Sequence, residues 1–155
     1  MHVTLAPLSR VDTPWLHDVA EPYFNELVPG FGPLAQDRFD IWWTDPDRAA
    51  YAILVEGERA GFALIRRCEE GCREISEFCI LPTARNAGTG ACAAALCLQL
   101  HPGAWRIGVA STLPGTARFW DRLLATKPGI EDLVRGPALT PFQCYSYTFT
   151  YRNTP

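Results

Sequence analysis

The sequence is short of several things, and each shortage narrows the field. Lys127 is the only lysine among 155 residues, and acidic residues outnumber basic ones 17 to 14, a net charge of -3. That balance offers no broad basic face for a nucleic acid. The opening MHVTLAPLSRVD lacks the charged start and apolar run of a secretory leader, and no stretch approaches the ~20 apolar residues of a membrane span. A cytoplasmic chain without nucleic-acid or membrane partners is expected. Cys68, Cys72, Cys79, Cys92, Cys97 and Cys144 form no CxxC pair, and Cys68 and Cys72 have no second cluster to complete a zinc site. His2, His17 and His101 are isolated. The expectation is no metal, with the cysteines as reduced, mostly buried apolar side chains. Repeats and low-complexity segments are absent.

What remains is ordinary for a globular chain, 48% hydrophobic and 20% charged, with the length of one domain spanning 1–155. His2 to Ser9 reads as a first strand. Asp12-Thr13-Pro14 starts a helix that should end or kink at Pro22. A Gly- and Pro-rich loop covers 29–37, and a second helix is expected from Leu34 to Trp43. Ala50–Val55 and Ala60–Arg67 form a hairpin through Glu56-Gly57, and Glu74–Leu81 extends the meander after a polar turn. Gly88–Leu100 reads as a helix buried on most sides, stopped by His101-Pro102-Gly103. A strand over Trp105–Ala110, a helix over Pro114–Ala125 and strands over 130–136 and 142–151 follow. The fold class is mixed α/β, with about seven strands and four helices and a mostly antiparallel sheet.

The chemistry-bearing stretch is PTARNAGTGA, Pro82 to Ala91. It follows a strand and opens a helix. Glycines at 88 and 90 let backbone approach a ligand closely. The first N–H groups of a helix are unpaired and lie at its positive end. Arg85 adds a full charge. Arg85, Asn86, Ala87, Gly88, Thr89, Gly90 and Ala91 thus read as a pyrophosphate site. No GK[ST] follows, which excludes a P-loop.

The spacing R-x-x-G-x-G, three residues after Pro82, resembles the acetyl-CoA motif of the GNAT superfamily. VTLAPLSRVDTPWL resembles the first strand and helix of these enzymes, EISEFCILP their fourth strand, and TARFW the helix after their fifth. GFALIRR, EFCIL and PGAWRI are similar to small bacterial single-domain members. The resemblance implies a GNAT fold using acetyl-CoA, or another acyl-CoA, as co-substrate. It implies that the fourth and fifth strands splay and hold the pantetheine arm against the backbone of Cys79, Ile80 and Leu81. A bulge there would aim an N–H at the thioester oxygen. Phe119 and Trp120 fall on the helix that walls the channel. Transfer to the amine would be direct, without a covalent enzyme intermediate.

An ammonium must lose a proton before it can attack. Glu74, eight residues before Pro82, stands where many GNAT enzymes place the general base, and Glu77 is the second candidate. Three apart on one strand, they point to opposite faces unless a bulge intervenes. A Tyr that protonates the leaving thiolate in many members is replaced by Trp120, which leaves solvent or another hydroxyl, such as Tyr145 or Tyr147, for that step. The acceptor walls should draw on Trp15, Tyr23, Phe24, Phe31, Phe39, Trp42, Trp43 and the last strand. Asp18, Glu21, Glu26, Asp37, Asp40, Asp45 and Asp47 lie among them, a mixture suited to a cationic amine. The expected function is acetyl transfer to a small-molecule amine by a monomer or homodimer. The alternatives are a domain that binds acyl-CoA without turnover, or transfer to a protein N-terminus or Lys.

Overall fold

Seven extended segments build one sheet. The computed structural model describes residues 1–153, the side chain of Pro114 excepted. The strands are β1 (Val3–Pro7), β2 (Arg48–Val55), β3 (Glu58–Arg67), β4 (Arg73–Ile80), β5 (Gly103–Ala110), β6 (Ile130–Gly136) and β7 (Gln143–Tyr151). They lie in the order β1-β2-β3-β4-β5-β7-β6. Neighbours are antiparallel except β4 and β5, which run parallel through the connecting helix. The helices are α1 (Thr13–Leu27), α2 (Asp40–Thr44), α3 (Thr89–Leu100) and α4 (Pro114–Thr126). No described helix is long and apolar enough to cross a membrane.

Each sheet face carries its own core. Leu16, Ala20 and Phe24 of α1, with Phe39, pack on Ala50, Ala52, Phe62 and Leu64. Ala93, Ala94, Cys97 and Leu98 of α3, with Trp120 and Leu124 of α4, pack on Ile65, Ile75, Trp105, Ile107 and Val109. Tyr147, Phe149 and Tyr151 extend this second core along β7. Burying this much apolar surface on both faces is the main source of stability.

Four local expectations give way to packing. Helix α1 does not stop at Pro22; it runs on to Leu27, because Phe24 beyond the proline is buried in the first core. The helix expected from Leu34 shrinks to Asp40–Thr44. Its first part is held as loop by Glu21 Oε1, which accepts the Leu34 N–H at 2.9 Å, and by Asn25 Oδ1, which accepts the Gly32 N–H at 2.8 Å. Helix α3 buries one face only, with Cys92 and Leu100 exposed, since nothing is layered outside it. Cys68 and Cys72 are joined in a disulfide rather than held as thiols: the tight β3–β4 turn, in which the Cys68 N–H donates to the Cys72 carbonyl at 2.8 Å, brings their Cα atoms within 5.4 Å.

Pro22 sits in the interior of α1, where its ring removes the bond to the Asp18 carbonyl, and its side chain is exposed. Pro22→Ala restores that donor. Interior proline costs about 3 kcal/mol relative to alanine, so even a helix that has adapted to it should gain about 1–2 kcal/mol. A thermal melt should show a Tm higher by roughly 3–6 °C; an unchanged Tm would mean that the local backbone has absorbed the whole cost.

Candidate active site

Strands β4 and β5 pair only at Arg73 with Trp105 and Glu74 with Arg106. Beyond that rung β4 continues along β3, while β5 continues along β7, and the sheet opens. Two cavities meet in the opening. One, of about 610 Å³, lies toward α1 and α2. The other, of about 910 Å³, lies between the end of β4, the start of α3 and α4. Tyr23, Phe78, Leu113, Thr116 and Trp120 line both and form the doorway between them.

The β4 register decides which side chains face the doorway. Leu64 pairs with Glu77 and Ile65 with Ile75, so Ser76 is an extra residue bulged out of the ladder. The bulge shifts the alternation by one. Glu74, opposite Arg66, and Glu77, opposite Leu64, therefore share the α1 face, although three residues apart, and both line the smaller cavity. The bulge lies before the stretch at Cys79 to Leu81 where the resemblance placed one. The Ser76 hydroxyl is buried in the wall of that cavity without a hydrogen-bond partner.

The two carboxylates have different surroundings. Glu74 Oε2 accepts from Arg106 Nε at 2.7 Å and from Arg66 Nη2 at 3.3 Å, and its side chain is only 14% exposed. That oxygen is shared between two cations. Glu77 Oε2 accepts a single bond, from the Tyr23 hydroxyl at 2.7 Å. Burial pushes its carboxyl up to about 7; the Tyr23 bond and the Arg38 charge pull it down, and neighbouring Glu74 pushes it up. Burial, then the Glu77 charge, holds the Tyr23 phenol well above its ordinary value. Tyr23 comes from the last turns of α1, beyond Pro22.

The larger cavity collects most of the predicted pyrophosphate loop. Arg85, Asn86, Gly88, Gly90 and Ala91 line it, together with Cys79, Ile80, Phe119 and Trp120. Leu81, Ala87 and Thr89 do not. The Leu81 N–H is bonded to the Ala60 carbonyl at 2.8 Å, and Thr89 is buried against Met1. Gly88 starts α3 at φ +80°, which a side chain would strain. A Cβ at Gly90 would stand 3.2 Å from the Phe119 ring, so glycine there keeps the helix close to α4. Arg85 donates to the Ile80 carbonyl at 2.8 Å and to Glu26 at 3.3 Å. Arg118 and Arg122, one turn apart on α4, add two more cations to this wall. Their i,i+4 spacing was the signal that could have found them.

Of the expected acceptor walls, Tyr23, Phe24, Phe31, Phe39 and Trp42 line the smaller cavity, whereas Trp15, Trp43 and the tyrosines of β7 do not. Tyr145 and Tyr147 both donate to Asp121, at 2.7 and 2.6 Å, and line neither cavity. The hydroxyls at the doorway are those of Tyr23 and Thr116. Trp120 is buried and fits edge-on to Phe78 at 5.6 Å. Burial raises the Cys79 thiol to about 11, which removes it as a nucleophile.

A cleft between splayed parallel strands, with a cationic helix start on one side and a carboxylate on the other, has clear relatives. The model of the acetyltransferase (GNAT) family matches residues 15–123. The chain belongs to the GNAT acetyltransferase family. Among solved structures, this GNAT domain is similar to an acetyltransferase from Thermus thermophilus (TM-score 0.71, 18% identity, 96% of each chain covered). It also matches spermidine N-acetyltransferase from Vibrio cholerae in complex with CoA and spermine (TM-score 0.64, 13% identity, 97% of this chain and 94% of that one). A third is Naa50 from Arabidopsis thaliana in complex with a bisubstrate analogue (TM-score 0.62, 13% identity, 97% of this chain and 100% of that one). At such identities the likeness is one of fold. No curated protein matches the sequence.

Proposed function

We propose that this GNAT domain is an N-acetyltransferase that binds acetyl-CoA in the larger cavity and passes the acetyl group to a primary amine of a small molecule in the smaller one, with Glu77 as general base. One observation carries the reading: the two cavities share a doorway, and at its edge stands a buried carboxylate poised near neutrality. Such a group can accept a proton at working pH and release it again.

The α3 start, Arg85, Arg118 and Arg122 suit the phosphates of the donor, and Gly88 and Gly90 keep that wall free of side chains. The acceptor enters as an ammonium and yields its proton to Glu77. The free amine attacks the thioester carbon, the carbon–sulfur bond breaks, and the thiolate leaves. A thiol of pKa about 8.5 needs little help, and the second proton of the attacking nitrogen or solvent restores it. Tyr23 does not titrate in this scheme. It holds the Glu77 carboxylate at the doorway.

The test incubates the protein with acetyl-CoA and a panel of amines and short peptides, and follows release of free CoA. Acetyl-CoA should raise the Tm by several degrees, and at least one amine should release CoA stoichiometrically with N-acetylated product. A Tm shift without release from any amine or peptide would point instead to a domain that binds acyl-CoA without turnover. Absence of both would overturn the reading.

A further inference from the structure

The acceptor cavity does not carry the charge that its neighbourhood in the sequence implies. The whole protein is at -3, and seven acidic residues, Asp18 to Asp47, lie among the aromatics of α1, α2 and the loops that follow them. None of them lines the smaller cavity. Several are bound elsewhere: Asp45 to Arg48, Asp40 to Arg10, Glu26 to Arg85, and Glu21 to the Leu34 N–H. The charged groups that do line it are Arg38, Arg48 and Arg66 against Glu74 and Glu77. Glu74 is neutralised by Arg66 and Arg106 together, and Arg48 is paired with Asp45.

Arg38 is left over. Among the described residues its guanidinium makes no salt bridge and no hydrogen bond. It lies over the rings of Phe24, at 4.5 Å, and Phe31, at 5.6 Å. Those two rings stack on each other at 5.5 Å and form an aromatic shelf under it. A guanidinium laid on rings keeps its planar N–H fork for a carboxylate, which it can bind through two parallel bonds. Arg38 is also near enough to Glu77 to act on its charge. An acceptor amine at Glu77 thus places its neighbouring atoms within the reach of Arg38, with Phe31, Trp42 and Phe142 to cover an apolar body.

Building on the acetyltransfer reading, we propose that the acceptor is an amine that carries its own carboxylate, an amino acid with an apolar or aromatic side chain, and that Arg38 binds that carboxylate. This reverses the cationic amine suggested by the acidic residues in the sequence. It also gives the cavity one cationic and one anionic end, matched to a zwitterion.

Two measurements test it. The first compares kcat/KM for phenylalanine, phenylalaninamide, phenethylamine and spermidine. Phenylalanine should exceed its amide by about tenfold or more, the scale of one charge-assisted pair. Arg38→Gln should erase that preference, read as the ratio of acid to amide within each variant because the Arg38 charge also acts on Glu77, and Arg38→Lys should retain part of it. Equal use of acid and amide, or a preference for spermidine, would overturn the carboxylate subsite and leave acetyl transfer standing. The second does not need turnover. N-acetylphenylalanine and its amide are titrated into CoA-saturated protein by calorimetry and by tryptophan fluorescence, since Trp42 lines the cavity. The acid should bind about tenfold tighter or more, and only in proteins with Arg38. Equal binding, or binding of neither, would overturn the proposal even if no acceptor is found.

Discussion

Replacing Glu77 by Gln is expected to lower kcat for acetyl transfer by about 10²–10⁴-fold, the usual contribution of a positioned general base, with affinity for acetyl-CoA unchanged. Gln keeps the shape and can still accept the Tyr23 bond, so geometry is preserved and only the proton acceptor is lost. The pH profile separates this from a positional effect. In the wild type, kcat/KM should rise with pH through an inflection near 7, where burial places the Glu77 carboxyl, and then level off. Tyr23, Arg38 and Glu74 face it, and burial holds the Tyr23 phenol well above its ordinary value. The E77Q limb should be missing. Stability gives a second check. A carboxyl raised in the folded state favours folding below its unfolded pKa and loses that advantage as pH rises through about 7. The Tm of E77Q relative to wild type should therefore climb between pH 5 and pH 8. Full activity with an intact limb in E77Q would remove Glu77 from the chemistry.

Much of this architecture was legible because it rests on local apolar pattern. The apolar runs Ala50–Val55 and Ala60–Arg67, the β7 aromatics, and the helix stop at His101-Pro102-Gly103 sit where the strands and helices fall. The loop that opens α3 was legible as cavity wall for a different reason: glycine at a helix start with a nearby Arg is a local pattern that needs no distant partner. Nine of the twelve predicted donor-side residues line the larger cavity. What could not be read was set by long-range pairing. Ser76 carries no mark of a bulge, yet its insertion against Leu64 and Ile65 turns Glu77 to the same face as Glu74. Arg66 and Arg106 come from different strands to close on Glu74, which only the parallel β4–β5 rung brings about. The acidic residues near the aromatic wall looked like pocket residues because sequence proximity says nothing of partners; in the fold Asp40, Glu26 and Glu21 find an Arg or a backbone N–H outside the cavity, and Asp45 pairs with Arg48 without lining the cavity itself.

The same pairings predict a large effect of opposite kind at Glu74. Glu74→Ala should destabilise the fold by about 2–3 kcal/mol, less than the roughly 3–5 of a fully buried pair because Arg66 is a third exposed. In a chain of this length the Tm should fall by roughly 5–10 °C. Alanine would leave two guanidiniums from β3 and β5 facing each other across β4 with nothing between them. It would do so at the last rung joining β4 to β5, where the opening begins. The cost therefore falls on the part of the sheet that shapes both cavities, and acetyl-CoA affinity should weaken with stability. Glu74→Gln, which can still accept from one Arg, should cost less and should keep the pH limb near 7. That retained limb is the decisive readout. If Glu74→Gln lost the limb while Glu77→Gln kept it, the base would be Glu74, with its arginines acting on catalysis rather than on the sheet.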